Sequence, residues 1–179
     1  MVKAFEGHKV IVASRQAPSL RNILIRSRFD LPQPTPPINR YRIVGLFKCL
    51  KCVYCTGGLF DSCTSFRFGR YDQFNWSYNR KFTCNSFNVI YLVKCNYCWK
   101  FYIGETRDTK KRVRKHKSDV YHPENSKCRL LSEHLGVCSS LTEPFFQLFP
   151  FFYEDDDAKR KFLEKRYIAV FKPPLNSNR

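Results

Sequence analysis

Long apolar runs are absent from this sequence. The longest clearly apolar segments, Val89 to Val93 and Phe145 to Tyr153, are far shorter than the roughly 20 residues that a membrane-spanning helix needs. Near the N-terminus the only apolar patch, Val10 to Ala13, is shorter than the core of a secretory signal, and Arg15 follows it in place of a cleavage site. The sequence therefore predicts an intracellular protein without a membrane span.

Acidic residues are scarce. The chain of 179 residues has 15 Asp and Glu against 32 Lys and Arg, which gives a formal net charge of +17. Such a positive field favours binding to the phosphate backbone of nucleic acid, because bound phosphates release their counterions. An anionic membrane surface attracts the same charge, but nucleic acid is the partner that we expect first.

Cysteine, in contrast, is abundant. The nine cysteines are an odd number, and a reducing intracellular compartment disfavours a framework of disulfides. Thiolate ligands to a metal explain them better, and Zn²⁺ is the expected structural cofactor.

The chain divides by composition into three segments. Residues 1–40 form a basic arm, with a possible short helix at Leu20 to Ile25, followed by a linker from Leu31 to Ile38 that carries four prolines. Residues 41–87 are a connector rich in Cys and aromatics, without a steady period, which indicates loops and short strands. Residues 88–179 carry the patterns of a folded domain.

Three segments of this domain predict strands. Val89 to Val93 is a β-branched and aromatic run that favours a strand buried on both faces. Trp99 to Ile103 follows after a short connection and predicts an antiparallel partner. Phe145 to Tyr153 supplies a third strand, although Pro150 interrupts it. The fold class is therefore α/β (α+β), with a small three-stranded antiparallel sheet flanked by helices and preceded by a Cys-rich extension.

Three helices are expected around this sheet. Asp108 is a typical N-cap for a basic helix that runs to about Asp119, and another helix is expected from Ser126 to Leu135. The acidic cluster Glu154 to Asp157 favours the start of a last helix, which ends before Pro173. The apolar stripe of that helix is predicted at Leu163, Tyr167, Val170 and Phe171.

Separated motifs of the domain fall in a specific order. Val89-Ile90-Tyr91 is followed, after ten residues, by Tyr102-Ile103-Gly104. Arg112, His116, Glu164 and Asn176 come later, with Glu164 inside the phrase Leu163-Glu164-Lys165-Arg166-Tyr167-Ile168. In this order the residues resemble the GIY-YIG nuclease family, although Val89 stands where the family name has Gly. The resemblance implies a GIY-YIG-like fold and an endonuclease that hydrolyses phosphodiester bonds in DNA.

Further features are similar to one branch of that family. The pair Cys95 and Cys98 lies between the tyrosine motifs, and Gly104-Glu105-Thr106 follows the second motif, as in the endonuclease of Penelope-like retroelements. This implies a fragment or relic of a retroelement that acts on nuclear DNA beside a reverse transcriptase region, which this chain lacks. The upstream segments that resemble the stretch before that endonuclease are Ser19 to Arg28, the cluster Cys49, Cys52 and Cys55, and Thr83-Cys84-Asn85.

The resemblance assigns charged residues to the cleavage reaction. Glu164 is a hard oxygen ligand suited to a catalytic Mg²⁺ or Mn²⁺. Arg112 and His116 are four residues apart and share one helix face, where the guanidinium can bind the scissile phosphate. His116 can orient a phosphate, transfer a proton or bind zinc.

Three uncharged residues complete the predicted catalytic set. Tyr91 and Tyr102 line the site in the family, where one of them is proposed to take a proton from the attacking water. A phenol is a poor base at neutral pH unless a nearby cation lowers its proton affinity. Asn176 braces the site through its amide or simply forms a turn.

The cysteines predict two zinc sites. Cys95 and Cys98 form a zinc knuckle, completed by His134 and Cys138, with His116 or His122 as alternative ligands. A second site would use Cys49, Cys52 and Cys55 together with Cys63 or Cys84.

Basic residues on the first helix of the domain are the predicted contacts to DNA, yet the same features fit other functions. A zinc-containing module that binds nucleic acid without cutting it is the main alternative, since charge and aromatic residues suffice for binding. A structural zinc protein that joins partners is disfavoured by the net charge. The predicted contacts are Arg107, Lys110, Lys111, Arg114, Lys115 and Lys117.

Overall fold

The computed structural model describes residues 43–49, 51–98, 100–139 and 146–176. The basic arm, the short helix at 20–25 and the proline-rich linker lie outside these residues. The chain divides into two units, 1–41 and 42–179, and every described residue belongs to the second. Its elements in chain order are β1 (Gly45–Phe47), α1 (Val53–Thr56), β2 (Ser65–Phe68), β3 (Phe74–Ser77), β4 (Lys81–Thr83), β5 (Phe87–Cys95), β6 (Phe101–Asp108), α2 (Thr109–Tyr121), α3 (Arg129–Cys138), β7 (Phe146–Tyr153) and α4 (Asp157–Phe171).

A three-stranded antiparallel sheet forms the centre of the fold, in the order β6-β5-β7. This confirms the predicted mixed α/β class and the predicted sheet. Residues 89–93 of β5 are at most 1% exposed, because β5 has a strand on each side and packed side chains on each face. The second strand begins at Phe101 and runs to Asp108, beyond the predicted end at Ile103, because it pairs with β5 along its whole length.

Pro150 lies inside β7 and does not end it. Proline has no main-chain N–H to donate, but an edge strand needs only every second one for pairing. The pairing shifts by one residue between Ile90 and Tyr91, so that Phe152 faces Ile90 and Pro150 faces Tyr91. On its other side β7 donates one hydrogen bond to the connector, from the N–H of Leu148 to the carbonyl of Leu59 at 2.9 Å.

The helices follow the predicted caps with small shifts. The side chain of Asp108 accepts a hydrogen bond from the N–H of Lys111 at the start of α2, as predicted for an N-cap, and α2 continues to Tyr121. The α3 helix spans 129–138, later than the predicted 126–135, because Ser126 instead accepts the N–H of Cys128 in the preceding loop. Asp156 caps α4 by accepting the N–H of Lys159.

The apolar face of α4 differs from the predicted stripe. Val170 is 62% exposed, so its assignment to the stripe is wrong. Ile168 packs against the core in its place, together with Leu163, Tyr167 and Phe171. The buried face follows the spacing 160, 164, 168 and 171, which stays on one side of a helix with 3.6 residues per turn.

The connector packs on the central sheet through aromatic rings. The hairpin of β2 and β3 covers one face, where Phe66, Phe68 and Trp76 surround Leu92 of β5. Phe66 stacks on Phe149 of β7 with ring centroids 4.5 Å apart. The loops and short strands predicted for this segment therefore share one core with the sheet.

Phe68 should be a major contributor to this core. It is 2% exposed and its ring meets Phe101 and Phe171 edge to face. We expect Phe68→Ala to lower the free energy of unfolding by about 3–5 kcal/mol, measured by urea denaturation. Phe162→Ala removes the same atoms from a side chain that is 66% exposed and should change it by at most about 0.5 kcal/mol. Equal effects would show that the hairpin does not pack on the sheet.

Candidate active site and metal centres

The outer edge of β6 organises the candidate active site. Since β6 is an edge strand, alternate main-chain groups face away from β5. The side chain of Asn176 forms hydrogen bonds with both main-chain groups of Ile103. Its oxygen accepts the N–H at 2.9 Å, and its NH₂ group donates to the carbonyl at 2.8 Å. The N–H of Leu175 donates to the carbonyl of Phe101. The C-terminal segment thus continues the sheet beside the second tyrosine motif.

Two residues further along the same edge, Glu105 brings together Arg112 and Glu164. The guanidinium of Arg112 donates to the carbonyl of Glu105 at 3.2 Å. Burial raises the pKa of Glu164 and the Glu105 carboxylate adds to this, while a main-chain hydrogen bond from Glu105 and the charge of Arg112 oppose it. Helices α2 and α4, distant in sequence, therefore meet at one residue of β6.

The two tyrosines lie together with His116 on the face of the sheet covered by α2. The hydroxyl of Tyr91 and Nε2 of His116 are 2.9 Å apart, and the rings of Tyr91 and Tyr102 are 6.3 Å apart. Gly104, opposite Tyr91 in the register, leaves the required space. A Cβ atom there would lie 2.7 Å from the Tyr91 hydroxyl and 2.7 Å from the Tyr102 ring.

Burial keeps these groups neutral. Burial raises the pKa of both Tyr91 and Tyr102. The positive charge of Arg112 opposes part of the rise at Tyr91. Burial, together with the charge of Arg112, lowers the pKa of His116 to about 3. Tyr91 is fully buried, whereas Tyr102 is partly exposed, so Tyr102 is the better placed of the two to meet a water molecule.

An open groove of about 640 Å³ lies beside this edge, between the start of α2 and the start of α4. Of the predicted DNA contacts, Arg107, Lys111 and Lys115 line it together with Arg112. The others, Lys110, Arg114 and Lys117, are not among its lining residues. Lys127 and Lys161 are cations of the groove that sequence reasoning missed.

Three further residues of the site were not predicted. Glu105 and the buried Arg160 form an ion pair at 2.8 Å, and Cys128 has its sulfur 3.2 Å from the Tyr102 hydroxyl. Arg160 precedes Glu164 by one helical turn, which could have marked it as facing the same way. Nothing in the spacing of Cys128 relates it to Tyr102.

One cluster of thiols joins the segment around α1 to Cys84, just before β5. The sulfur atoms of Cys49, Cys52, Cys55 and Cys84 all lie within 4.8 Å of one another. Of the two alternatives for the fourth ligand, the structure brings Cys84 into this group. The sulfurs of Cys52 and Cys84 are 3.7 Å apart, close to the roughly 3.7 Å that two ligands of a tetrahedral zinc–thiolate site would have.

A second cluster joins the β5–β6 turn to the end of α3. Ligand atoms of Cys95, His134 and Cys138 lie within 4.8 Å of one another, and the sulfur of Cys98 is 3.3 Å from Nε2 of His134. Burial and the charge of Lys100 lower the pKa of His134, which favours the neutral imidazole that binds metals.

The alternative histidine ligands lie elsewhere. The side chain of His122 is 67% exposed and lies near Glu124. His116 is engaged with Tyr91.

The donor sets of both clusters fit a metal such as zinc. Burial raises the pKa of Cys55, Cys84 and Cys95, so these thiolates need a cation beside them. The pKa of Cys49, in contrast, is lowered to about 6, chiefly by a main-chain hydrogen bond from Lys51. Soft thiolate and imidazole ligands in groups of four are typical of structural zinc.

No protein-family model, curated protein or solved structure matches this chain. In the part of the chain that the structure describes, no helix has the length and apolar character to cross a membrane.

We expect the purified protein to contain two zinc ions per chain, one in each cluster. Cys84→Ser should remove one ion, because a tetrahedral site loses affinity steeply with one ligand missing. His134→Ala should remove the other. The measurement is zinc by mass spectrometry after dialysis, together with the melting temperature.

The same measurement on two neighbouring variants separates the ligand assignments. Cys63→Ser and His122→Ala change the alternative ligands and should leave two ions bound. If Cys63→Ser loses an ion while Cys84→Ser keeps both, the assignment of the first cluster is wrong.

Proposed function

We propose that this protein is a metal-dependent DNA endonuclease of the GIY-YIG type, and that its active site is the outer edge of β6. The observation that carries the proposal is the convergence at this edge of Tyr102, Arg112 and Glu164, which are widely separated in sequence. The resemblance in the order of the motifs supports the same assignment.

Each residue at the edge has a chemical task in phosphodiester hydrolysis. Arg112 lines the groove and its guanidinium binds the scissile phosphate, while its bond to Glu105 fixes its position. Tyr102 orients the attacking water through its neutral hydroxyl. Tyr91 and His116 are joined by a buried hydrogen bond, and their rings lie beside the ring of Tyr102.

Glu164 is the residue that would hold the catalytic Mg²⁺ or Mn²⁺. Burial raises the pKa of its carboxyl, and the nearby Glu105 carboxylate adds to this, so the ionised group gains from a bound cation. A single protein carboxylate suits Mg²⁺, which keeps several waters and takes further oxygens from the substrate phosphate. The ion would stabilise the charge that develops on the phosphate and the leaving oxygen.

The groove is the proposed path of the DNA backbone. Its cations include Lys111, Lys115, Lys127 and Lys161, and the net charge of +17 draws phosphates towards the whole protein. The Cys pair between the tyrosine motifs supports an origin in the Penelope-like branch. A nuclear location and a reverse transcriptase region as partner belong to that part of the proposal.

Glu164→Ala should abolish nicking of supercoiled plasmid in Mg²⁺ while DNA binding stays equal or tightens, because it removes a metal ligand and a negative charge. Arg112→Ala should also lose cleavage but weaken binding only slightly, since other cations remain. We expect losses of about 10²- to 10³-fold in rate. Glu124→Ala, at an exposed carboxylate outside the groove, is the control and should cut like the parent.

Unchanged nicking by Glu164→Ala would refute the site assignment. A parent protein that binds DNA and never cuts with Mg²⁺ or Mn²⁺ would be the binding module of the alternative proposal, for which the net charge of +17 suffices.

DNA affinity should fall steeply with salt, because several phosphates are neutralised in the groove. Lys127→Ala should reduce the slope of log K against log salt by about 0.9, the contribution of one phosphate contact. Arg114→Ala, whose side chain does not line the groove, should change the slope less. Equal changes for both variants would place the DNA outside the groove.

A further inference from the structure

Arg160 is a charged side chain with almost no exposure to solvent. It is 1% exposed and is the largest of the fully buried side chains among the described residues. Its Nε donates to the carboxylate of Glu105 at 2.8 Å, one terminal nitrogen donates to the carbonyl of Glu154 at 3.1 Å, and the other bonds to Asp157. A buried guanidinium is tolerated only with such complete pairing, and loss of one partner is costly.

Glu105, which forms the ion pair with Arg160, also contacts the proposed active site. Its carbonyl accepts Arg112 at 3.2 Å, and its main chain hydrogen bonds to Glu164. One residue of β6 therefore connects the phosphate-binding guanidinium of α2, the carboxylate of α4 and the buried ion pair. Any shift of Glu105 is transmitted to both functional groups.

Arg160 also joins the start of α4 to β6 and to the loop before the helix. Arg160 and Glu164 are one turn apart on the same face of α4, so the contact that fixes one fixes the distance of the other from β6. The bond from Arg160 to the carbonyl of Glu154 joins the loop before the helix to the first turn of α4, next to the cap at Asp156.

We propose that Arg160 is a positioning residue of the nuclease site: through Glu105 and the start of α4 it holds Glu164 and Arg112 in the arrangement that binds the divalent ion and the phosphate. The inference rests on the proposed function, because it gives Glu164 the role of metal ligand. It differs from a purely structural role in predicting a loss of metal affinity and turnover in a protein that is still folded.

The test compares three substitutions on the same helix. Arg160→Met removes the charge and all donors, Arg160→Lys keeps the charge but has one donor group, and Arg166→Met removes a charge of the same type from an exposed position outside the groove. Glu105→Gln is the additional variant: it keeps the side-chain size and weakens the ion pair if Arg160→Met does not fold.

The first measurement is Mn²⁺ binding to the zinc-loaded protein by electron paramagnetic resonance, without DNA, on variants whose melting shows a folded protein. We expect Arg160→Met to weaken Mn²⁺ binding by about 10- to 100-fold, as loss of a residue that orients a metal ligand does. Glu164→Gln should bind as weakly or more weakly, Arg160→Lys should be intermediate, and Arg166→Met should bind within about twofold of the parent.

The second measurement is single-turnover cleavage at saturating DNA. A displaced Glu164 should lower the maximal rate of Arg160→Met by about 10²-fold, with the Kd for DNA changed no more than in Arg166→Met. If Arg160→Met or Glu105→Gln folds and keeps parental Mn²⁺ affinity, the positioning role is refuted. Tighter Mn²⁺ binding would refute it too, because charge alone would then explain the effect.

The two proposals fail in different ways. A parent that binds Mn²⁺ through Glu164 but never cuts DNA would end the proposed function, while the metal measurement would still judge Arg160. A parent whose Mn²⁺ binding does not depend on Glu164 would overturn the inference about Arg160.

Discussion

The free edge of β6 is the constraint on which the candidate site depends. An edge strand leaves main-chain N–H and C=O groups without strand partners, and these groups must be satisfied by other means. Here Leu175, Asn176, Arg112 and Glu164 supply the partners along residues 101–105. The partners come from two helices and the C-terminal segment, so the hydrogen bonds that complete one strand also bring the residues of the candidate site together.

Each of the two candidate metal clusters joins segments that are distant in sequence. The first ties the segment around α1 to Cys84, just before β5, and the second ties the β5–β6 turn to the end of α3. Cys128, at the opposite end of α3, contacts the hydroxyl of Tyr102. Metal binding at one end of this short helix would therefore stabilise a contact of the proposed active site at the other end, with Leu131 and Leu135 buried between them.

Much of the fold was accessible from local patterns. The run Val89 to Val93 and the cap at Asp108 were recognised because burial on both faces and capping have distinct local signatures. The prediction for Val170 is wrong because two positions after Leu163 fit an apolar helix stripe about equally well. One is Val170, seven residues later, and the other is Ile168, five residues later. The rotation of α4 about its axis decides which of the two is buried. Ring contacts of Phe68 with Phe171 and of Trp76 with Tyr167 set this rotation.

The sequence by itself determined the basic charge and the strand and helix types, and it predicted His134 and Cys138 as metal ligands beside Cys95, with His116 and His122 as alternatives. The charge follows from composition, whereas the elements and the candidate ligands follow from spacing along the chain. Only the tertiary structure decided that Cys84 and not Cys63 joins the first cluster, that Lys127 rather than Arg114 lines the groove, and that Arg160 reaches Glu105. These contacts depend on strand register and on helix rotation about the sheet, which the packing of distant residues sets and local spacing does not contain.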